Sequence, residues 1–348
     1  MIKLTVNGIE IEAEVGATIL EAAKSAGVEI PTLCWLGKLS PIGSCRMCVV
    51  EVEGLRKPVS ACDTFAAEAM VVTTESDELN QMRKDALALM LVNHPLDCPV
   101  CDKGGECDLQ DMVWNFGVTS PPFGKVEVDR KTPPKYVSSF IKQWPERCVL
   151  CGRCVRACKE VKGIGCIEIK DNGFESYIGQ VEGVECVNCG ECLSVCPVGA
   201  LTDGVKQDKS RIWQAKRTRT TCGYCGVGCQ FEFNVSDNRI MRVTTTDFEQ
   251  EPNFGSLCVK GRFGWEFIDH KDRLTTPMIR KDGELVPATW NEAITFAAKK
   301  LREIKQTHGA DAIGGFSSAR CTNEDNYLFQ KFFRAGVGTN NVDHCARL

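Results

Sequence analysis

The chain has 348 residues, of which 43% are hydrophobic and 25% charged, and its net charge is −4. This length indicates two or more globular domains, and the charge gives no basic field that would argue for nucleic acid as a partner. The longest purely apolar run, 86–92, is too short to span a membrane, and no signal peptide pattern precedes the first strand. We therefore expect a cytoplasmic protein without a membrane span.

Clustered cysteines are the main feature of the sequence. Four arrays with regular spacing contain nineteen of the 22 cysteines. Without a secretion signal, repeated C-x2-C pairs favour metal ligands over disulfides. Zinc is the plain alternative for every array. The cysteines outside the arrays are Cys166, which we expect to pack inside the third array's domain, Cys321 and Cys345.

Two short elements are predicted before the first array. Alternating runs at 2–6 and 9–15 meet at Asn7-Gly8, a strong hairpin signal. A helix is predicted at 18–26, where a glycine follows it. The chain then enters a cysteine loop at 41–48, whose small residues leave room for backbone N–H groups to approach the sulfurs.

The first array has the spacing C-x10-C-x2-C-x13-C. A hairpin, a helix and then a cysteine loop resemble the β-grasp of plant-type [2Fe–2S] ferredoxins, although the plant spacing is C-x4-C-x2-C. The array is more similar to the variant at the N-terminus of complex I large subunits and some hydrogenases, which implies a [2Fe–2S] cluster. Zinc or unligated thiols are the alternatives. The predicted ligands are Cys34, Cys45, Cys48 and Cys62.

The second array, H-x3-C-x2-C-x5-C, follows a predicted helix at 79–92. In isolation, one histidine and three cysteines also suit zinc. Directly after the first array, the pattern resembles the [4Fe–4S] site of the same families, which has this ligand set. The predicted ligands are His94, Cys98, Cys101 and Cys107.

The third array is an internal repeat. The run C-x2-C-x2-C-x3-C occurs twice, 38 residues apart, and Gly152 of the first run matches Gly190 of the second. This is the bacterial two-[4Fe–4S] pattern, in which the fourth cysteine of each run ligates the other cluster. Zinc is a remote alternative. One cluster is assigned to Cys148, Cys151, Cys154 and Cys196, and the other to Cys158, Cys186, Cys189 and Cys192.

The fourth array has the spacing C-x2-C-x3-C-x28-C. It resembles the [4Fe–4S] cluster that opens the molybdenum/tungsten bis-pterin oxidoreductases. In that family a lysine two residues after the last cysteine lies between the cluster and one pterin, which implies this electron-path role for Lys260. An ordinary solvated lysine and a zinc site are the alternatives. The predicted ligands are Cys222, Cys225, Cys229 and Cys258.

The segment 205–220, between the last two arrays, is polar and basic. We expect a solvated linker, and contact with a partner subunit or a pterin phosphate is the alternative. Trp213 is its only aromatic residue, which is too little to support single-stranded nucleic acid binding.

Beyond residue 273 the pattern is that of an ordinary α/β protein. Thr289-x-x-Glu292 is a capping-box signal for a helix that reaches residue 307. A buried strand is predicted at 312–316 and a second helix at 322–335. We expect this segment to leave an apolar face unburied.

Two stretches of this segment, 321–334 and 338–347, resemble formate dehydrogenase catalytic subunits. The order of the arrays is similar to that of the α subunits of NAD(P)-linked formate dehydrogenases. The resemblance implies interconversion of formate and CO2 at molybdenum or tungsten held by bis-molybdopterin guanine dinucleotide. It also implies iron–sulfur partner subunits that bind flavin and NAD(P), with electrons passing from the fourth array through the third and second to the first.

In that family the residue shortly after Cys-Ala-Arg is the metal-ligating selenocysteine or cysteine. The sequence stops at Leu348, one residue after Arg347, and Cys345 matches the family cysteine before Ala-Arg. We hypothesise that a UGA codon for selenocysteine comes next and was read as a stop, which would make this a truncated selenoprotein. A boundary of the cloned segment is the alternative. The chain alone is then expected to hold clusters without turning over formate.

The sequence thus predicts an α+β multidomain chain with one [2Fe–2S] and four [4Fe–4S] clusters. The alternatives are a complex I large-subunit-like protein, a stand-alone multi-cluster electron carrier, an [FeFe]-hydrogenase and a zinc scaffold. The predicted domains are a β-grasp [2Fe–2S] domain at 1–78, a one-His three-Cys [4Fe–4S] domain at 79–118, a ferredoxin-type 2×[4Fe–4S] domain at 139–206, the [4Fe–4S] N-terminal domain of a Mo/W bis-pterin oxidoreductase at 215–272, and a truncated molybdopterin oxidoreductase α/β segment at 273–348.

Overall fold

A computed structural model describes residues 1–120, 138–205, 210–245, 248 and 252–344. The chain divides into two units, Met1–Arg219 with Phe231–Phe263 and Thr220–Gln230 with Gly264–Leu348. Over the described ranges, no helix has both the length and the apolar character needed to cross a membrane. Helices and strands occur in both units, in agreement with the predicted mixture of α and β structure.

An antiparallel hairpin opens the first unit. β1 (Ile2–Val6) pairs with β2 (Ile9–Ala13), and the turn residues Asn7 and Gly8 have φ values of 50° and 81°. Positive φ at both central positions is the geometry that Asn-Gly favours. The predicted hairpin is therefore confirmed, although its second strand ends earlier than the alternation suggested.

A capped helix follows the hairpin. In α1 (Ile19–Ser25), the Thr18 hydroxyl accepts from the Glu21 amide at 3.2 Å, and the Glu21 carboxylate accepts from the Thr18 amide at 2.8 Å. This reciprocal capping box satisfies two amides at the helix start, and the predicted helix is confirmed. The sheet order is β2-β1-β5-β3-β4, with β3 (Val49–Val52), β4 (Val59–Ser60) and β5 (Val71–Thr73).

Two helices come next, α2 (Asp77–Asn93) and α3 (Asp108–Asn115). The Ser76 hydroxyl caps α2 by accepting from the Leu79 amide at 3.2 Å. The helix predicted before the second array is confirmed. His94 follows α2 in an extended conformation, with φ −81° and ψ 127°, so the chain leaves the helix axis at the first predicted ligand of this array.

The two cysteine runs of the third array fold alike. α4 (Arg153–Arg156) follows Gly152 at φ 67°, and α5 (Glu191–Ser194) follows Gly190 at φ 69°. Left-handed φ explains why glycine recurs at this position of the repeat. Two antiparallel strand pairs flank the runs. These are β6 (Ile141–Gln143) with β9 (Leu201–Asp203), and β7 (Ile167–Lys170) with β8 (Tyr177–Gln180).

A second hairpin and a short helix follow along the chain. β11 (Gln230–Ser236) and β12 (Arg239–Thr244) are antiparallel, and β11 also neighbours β10 (Lys216–Thr221). α6 (Val259–Phe263) begins directly after Cys258. This arrangement places Lys260 on the first turn of a short helix, where its side chain is exposed.

The rest of the second unit combines a hairpin, two helices and a parallel strand pair. The predicted capping box is confirmed, because the Thr289 hydroxyl accepts from the Glu292 amide and Glu292 accepts in return. The elements are β13 (Met278–Lys281), β14 (Glu284–Pro287), α7 (Trp290–His308), β15 (Gly315–Ser317), α8 (Asn323–Lys331) and β16 (Val342–His344), with β15 and β16 parallel.

Two predictions for this unit were wrong in their bounds. The strand predicted at 312–316 begins only at Gly315, where a Cβ would collide with the Phe333 ring, and Phe316 is 85% exposed. The second predicted helix keeps α geometry only to Lys331. A wider π-helical segment, Phe332–Val337, then brings Phe333 into the core against this glycine.

The predicted unburied apolar face of this segment is confirmed. α7 has no buried residue, and Trp290 and Ile294 on it are 72% and 61% exposed. Tyr327 and Leu328 on α8 are also exposed.

One continuous core contains cysteines from the first three arrays. Apolar residues of α2 and of the strands surround these thiols. Cysteine therefore contributes a large part of the burial in the first unit, where it packs as a small apolar side chain. The cysteines of this core are Cys34, Cys45, Cys107, Cys154, Cys158, Cys166, Cys192 and Cys196.

Candidate iron–sulfur centres

The four thiols of the first array are deeply buried, from 0% exposed at Cys62 to 7% at Cys45. Hydrogen bonding from the Cys34 thiol, and from the Met47 and Leu33 amides, lowers the pKa of Cys45 to about 6. Such bonds favour the thiolate, which is the form that binds iron. The same Cys34–Cys45 hydrogen bond raises the pKa of Cys34, and a hydrogen bond to Cys62 raises the pKa of Cys48, so the shifts alternate between neighbouring thiols. The four ligands stay a prediction.

Two residues fix the loop that carries this array. Gly43 has φ 55°, and a Cβ there would collide with the Asp63 carboxylate. Arg83 of α2 is 2% exposed and donates to the Met47 carbonyl at 3.1 Å and the Val49 carbonyl at 2.9 Å. These two carbonyls flank Cys48, so the helix before the second array holds the cysteine loop of the first.

The structure gathers the first predicted ferredoxin ligand set around one cavity. Its thiols are Cys148, Cys151, Cys154 and Cys196, and Gln143 and mainly apolar residues line the remainder. Three thiols come from the first run and one from the second, the crossed pattern expected of bacterial ferredoxins. Burial raises the pKa of Cys151 to about 12, so binding of iron here must release a proton.

A second cavity holds the other predicted set. Cys158, Cys186, Cys189 and Cys192 line it, again three thiols from one run and one from the other. Cys166 lines the same cavity, and its sulfur is 3.5 Å from that of Cys158. The expectation that Cys166 packs inside this domain is met by its burial, but its place beside the predicted ligands was not foreseen.

Equivalent amides approach the first sulfur of each run. The Leu150 amide lies 3.4 Å from Cys148 Sγ, and the Asn188 amide lies 3.4 Å from Cys186 Sγ. Leu150 and Asn188 have φ values of 54° and 56°, a left-handed conformation that is uncommon for a leucine. The repeated backbone therefore points an N–H at a sulfur in both runs, as an anionic cluster requires.

The second array packs on the end of the ferredoxin repeat. The Asp108 amide donates to the Pro197 carbonyl at 3.0 Å. A Cβ on Gly199 would collide with Cys101 Sγ, so glycine lets this sulfur approach the segment after Cys196. Burial raises the pKa of the Cys107 thiol to about 11.

His94 lines a cavity of about 340 Å³ together with Cys45, Cys148 and Cys151. The three cysteines of its own array do not line that cavity. Among the described residues, no three His, Cys, Asp or Glu side chains converge as they would around a single metal ion. Zinc would need such a shell, with Zn–S bonds of about 2.3 Å. Zinc as the alternative and His94 as a cluster ligand both stay predictions.

Residues 211–213 of the segment predicted to be a solvated linker contact the loop of the second array. Arg211 donates to the Cys101 carbonyl at 2.5 Å and also to the Pro99 carbonyl. Trp213 lies against Gly105, where a Cβ would collide with its ring. The linker prediction was therefore wrong at Arg211, because two carbonyls of the cysteine loop bind its guanidinium, whereas Trp213 is 68% exposed. Lys206 and Lys209 lie outside the described residues.

Arginines of the first ferredoxin run connect the three arrays. Arg156 Nη2 donates to the Cys34 carbonyl at 2.6 Å and to the Cys151 carbonyl at 3.1 Å. One guanidinium thus joins ligand residues of the first and third arrays. Arg153 donates to Asp108 Oδ2 at 3.0 Å, next to Cys107 of the second array, and also to the Trp35 carbonyl.

A buried basic group surrounds Glu191, which is 0% exposed between two cysteines of the second run. Lys38 lies 2.5 Å from one of its oxygens and Lys162 lies 3.5 Å from the other. Arg262, 1% exposed, donates to the Cys189 carbonyl at 3.1 Å. Asp203 also acts on Arg262, so three cations face two carboxylates, and the remaining positive charge would offset the negative charge of a bound cluster.

The fourth array is divided between the two units. Cys222, Cys225 and Cys229 lie in the second unit, where the Cys222 amide donates to the Cys229 carbonyl at 2.8 Å. Cys258 lies in the first unit and is exposed, as is Lys260. The four-cysteine site and the role of Lys260 stay predictions.

Models of iron–sulfur and molybdopterin domains match consecutive parts of the chain. The [2Fe–2S] iron–sulfur cluster binding domain matches residues 1–77, and the iron–sulfur binding region of NADH-ubiquinone oxidoreductase G matches 83–122. The ferredoxin-like domain of NADH-quinone oxidoreductase subunit 3 matches 138–202. The Fe4S4 domain of molybdopterin oxidoreductases matches 215–270, and the molybdopterin oxidoreductase domain matches 273–348. The chain thus has [2Fe–2S], [4Fe–4S] and molybdopterin oxidoreductase-type domains.

Two relatives are similar to this chain over its whole length. The chain is 43% identical to the NADPH-Fe(3+) oxidoreductase alpha chain of Geobacter sulfurreducens (strain DL-1 / KN400), over 100% of this chain and 40% of that protein. It is 43% identical to the second G-type chain of NADH-quinone oxidoreductase from Rhizobium meliloti (strain 1021), with the same coverage. The chain therefore spans about 40% of the length of these curated relatives.

Two further matches are to a formate dehydrogenase and to a hydrogenase. A provisionally named formate dehydrogenase of Staphylococcus aureus (strain USA300) is 32% identical, over 99% of this chain and 39% of that protein. A crystal structure of an NAD+-reducing [NiFe]-hydrogenase is 29% identical with a TM-score of 0.56, covering 61% of this chain and 91% of that one. The chain thus resembles the G-type chains of NADH-quinone oxidoreductase, and the complex I-like alternative is better supported than formate dehydrogenase.

Proposed function

We propose that this chain is the electron-transfer part of an NAD(P)H oxidoreductase subunit. Bound iron–sulfur clusters would supply one-electron transfer, and the chain's own residues hold them apart from solvent and from one another. The observation that carries the proposal is the single core shared by cysteines of three arrays. A set of independent zinc modules has no need of such a shared interior.

The predicted ligands divide into one [2Fe–2S] site and four [4Fe–4S] sites. The Arg156 bridge supports direct adjacency of the first array and the first ferredoxin site, since it bonds to carbonyls of Cys34 and Cys151. The sequence-based route, in which the His94 site stands between them, is therefore replaced in this proposal. His94 instead lines the cavity that also contains Cys45 and Cys148.

The partner is proposed to be a flavin subunit that exchanges electrons with NAD(P). The names of the relatives include an NADPH-Fe(3+) oxidoreductase, an NADH-quinone oxidoreductase and an NAD+-reducing hydrogenase. A nicotinamide nucleotide is the chemistry that these three names share. The domains matched in this chain are of iron–sulfur and molybdopterin types, so the hydride chemistry is assigned to the partner.

The first test is spectroscopic. The chain is produced anaerobically, its iron and zinc are counted, and the reduced protein is examined by electron paramagnetic resonance (EPR). One [2Fe–2S] signal with several [4Fe–4S] signals is expected, and reduction by NADH or NADPH should require the flavin subunit. About four zinc ions per chain without iron would overturn the proposal.

A formate dehydrogenase parent is the second candidate, favoured by the likeness to the Staphylococcus aureus protein and by the molybdopterin oxidoreductase match. In that case Lys260 would lie in the path between the fourth cluster and a pterin that binds molybdenum or tungsten. Sequencing the gene beyond Leu348 tests the selenocysteine hypothesis. An in-frame TGA followed by a histidine codon supports it, and any other codon argues against it.

A further inference from the structure

The second ferredoxin cavity contains one thiol more than a four-ligand cluster needs. Five cysteines line it, namely the predicted set of Cys158, Cys186, Cys189 and Cys192, and in addition Cys166. The first cavity, built from the same repeat, is lined by four cysteines among the described residues. The repeat therefore supplies an internal comparison between a site with a spare thiol and a site without one.

The chain between Cys158 and Cys166 is folded so that the two sulfurs meet. The Ile164 and Gly165 amides donate to the Cys158 carbonyl at 3.0 and 3.2 Å. Gly163 and Gly165 have φ values of 66° and 63°, which only glycine adopts without strain. This tight turn brings the backbone back to Cys158 just before Cys166.

The two thiols lie side by side and are similarly buried. Their sulfurs are 3.5 Å apart, and Cys158 and Cys166 are 7% and 3% exposed. A buried cysteine that served packing alone could point into any part of the core. Here the side chain points to the cavity wall, beside the fourth predicted ligand.

We propose that Cys166 is an alternative fourth ligand of the second ferredoxin cluster, interchangeable with Cys158. In the exchange, the Cys166 thiol would give up its proton as its sulfur replaced that of Cys158 on iron. The Cys158 thiolate, released from iron, would take up a proton. No electron is gained or lost, so the cluster keeps its oxidation state. This inference rests on the cluster assignment of the proposed function.

Four alanine variants of the anaerobically prepared chain test the proposal: C158A, C166A, the double variant C158A/C166A, and C196A. Cys196 is the matched control because it is the fourth predicted ligand of the first cavity, where no spare thiol lies among the described lining residues. Iron per chain and EPR spectra of oxidised and reduced protein are measured, with circular dichroism as the check on folding. These readouts do not depend on enzymatic activity.

Each single variant at the second site is expected to keep a four-iron cluster there, and C158A should show altered g-values because its ligand differs. The double variant and C196A should each lose a four-iron cluster, giving the three-iron signal of oxidised protein or a loss of about four irons per chain. The proposal is overturned if C158A matches the double variant, or if C166A alone loses the cluster.

The outcome for C196A separates this inference from the proposed function. If C196A changes no signal and no iron content, the crossed ligand assignment itself is wrong. If C196A loses its cluster while C158A behaves like the double variant, the assignment stands and Cys166 is a packing residue only. Serine variants are avoided because a serine oxygen can itself bind iron.

Discussion

The two runs of the ferredoxin repeat share a backbone but differ in their surroundings. At the first helical position after the left-handed glycine, the first run has Arg153 and the second has Glu191. Arg153 bonds to Asp108 and to the Trp35 carbonyl, next to the other two arrays. Glu191 instead receives Lys38 and Lys162. The two runs thus have the same backbone conformation, and residues that are not predicted ligands give them different contacts.

The two runs therefore differ in role: the first connects the arrays, and the second lies among charges that affect the reduction potential of a bound cluster. The first run connects the arrays through its arginines, which bond to carbonyls and carboxylates across the core. The second run lies within a surplus of buried positive charge, which stabilises the more negative, reduced form of a cluster. We therefore expect the cations around Glu191 to raise the reduction potential of the second ferredoxin cluster, and the Glu191 carboxylate to lower it.

The largest effect is expected from Glu191→Gln. The neutral amide leaves the Lys38 and Lys162 ammonium groups, only 12% and 20% exposed, without their counter-ion. We expect a loss of about 3 kcal/mol in the free energy of unfolding and a rise in the potential of the second cluster alone. Denaturant unfolding and a redox titration followed by EPR measure these quantities. Equal shifts of both cluster potentials would contradict the local origin of the bias.

The control for that variant is Glu168→Gln. Glu168 and Lys170 form an ion pair whose side chains are 50% and 33% exposed. Solvent screens such a pair, so the change in unfolding free energy should stay within about 0.5 kcal/mol. A comparable loss in the control would show that burial is not what distinguishes Glu191.

A smaller effect is expected from Arg156→Met, which keeps the apolar volume and removes the donors to the Cys34, Cys151 and Ser40 carbonyls. Buried acceptors without partners should cost about 2 kcal/mol. The spin–spin interaction between the [2Fe–2S] cluster and the first ferredoxin cluster should weaken, as pulsed EPR measures. Ser194 occupies the equivalent position of the second run, and Ser194→Ala should change stability by less than about 0.5 kcal/mol.

The smallest effect distinguishes the two glycines that start the helices. Both have left-handed φ, so alanine at either should cost about 1 kcal/mol. At Gly152 the nearest atom to an added Cβ is Ile42 Cδ1 at 3.4 Å, whereas at Gly190 the Cβ would collide with buried Arg262. Gly190→Ala should therefore be the less stable variant in thermal unfolding. Equal stabilities would mean that Arg262 can move away freely.

Regular spacing explains how much could be predicted from the sequence. The hairpin at Asn7-Gly8, the capped helices and the crossed grouping of the ferredoxin cysteines all depend on local patterns, and the structure has each of them. A metal array imposes its own short spacing on the chain, so candidate ligands can be predicted without any knowledge of the fold.

Contacts between distant residues could not be predicted in the same way. Lys38 and Glu191 are 153 residues apart, and Arg156 and Cys34 are 122 apart. The position of a lysine or arginine in the sequence does not indicate which residue it will contact. Lys38 and Arg156 therefore looked like ordinary surface charges. Arg211 was misjudged for this reason, since a polar segment is the usual sign of a linker. Arg153 and Arg156, close to Cys154 on either side, were the one feature of the sequence that could have indicated contacts between the arrays.

The cysteine core shared by three arrays also determines how the protein is damaged. Because thiols of all three line one interior, an oxidant that destroys one cluster opens apolar surface that belongs to the others. We expect oxygen exposure to unfold the region around this core in a single event, without a series of partly repaired species. The lifetime of that region in air would then equal the lifetime of its most accessible cluster.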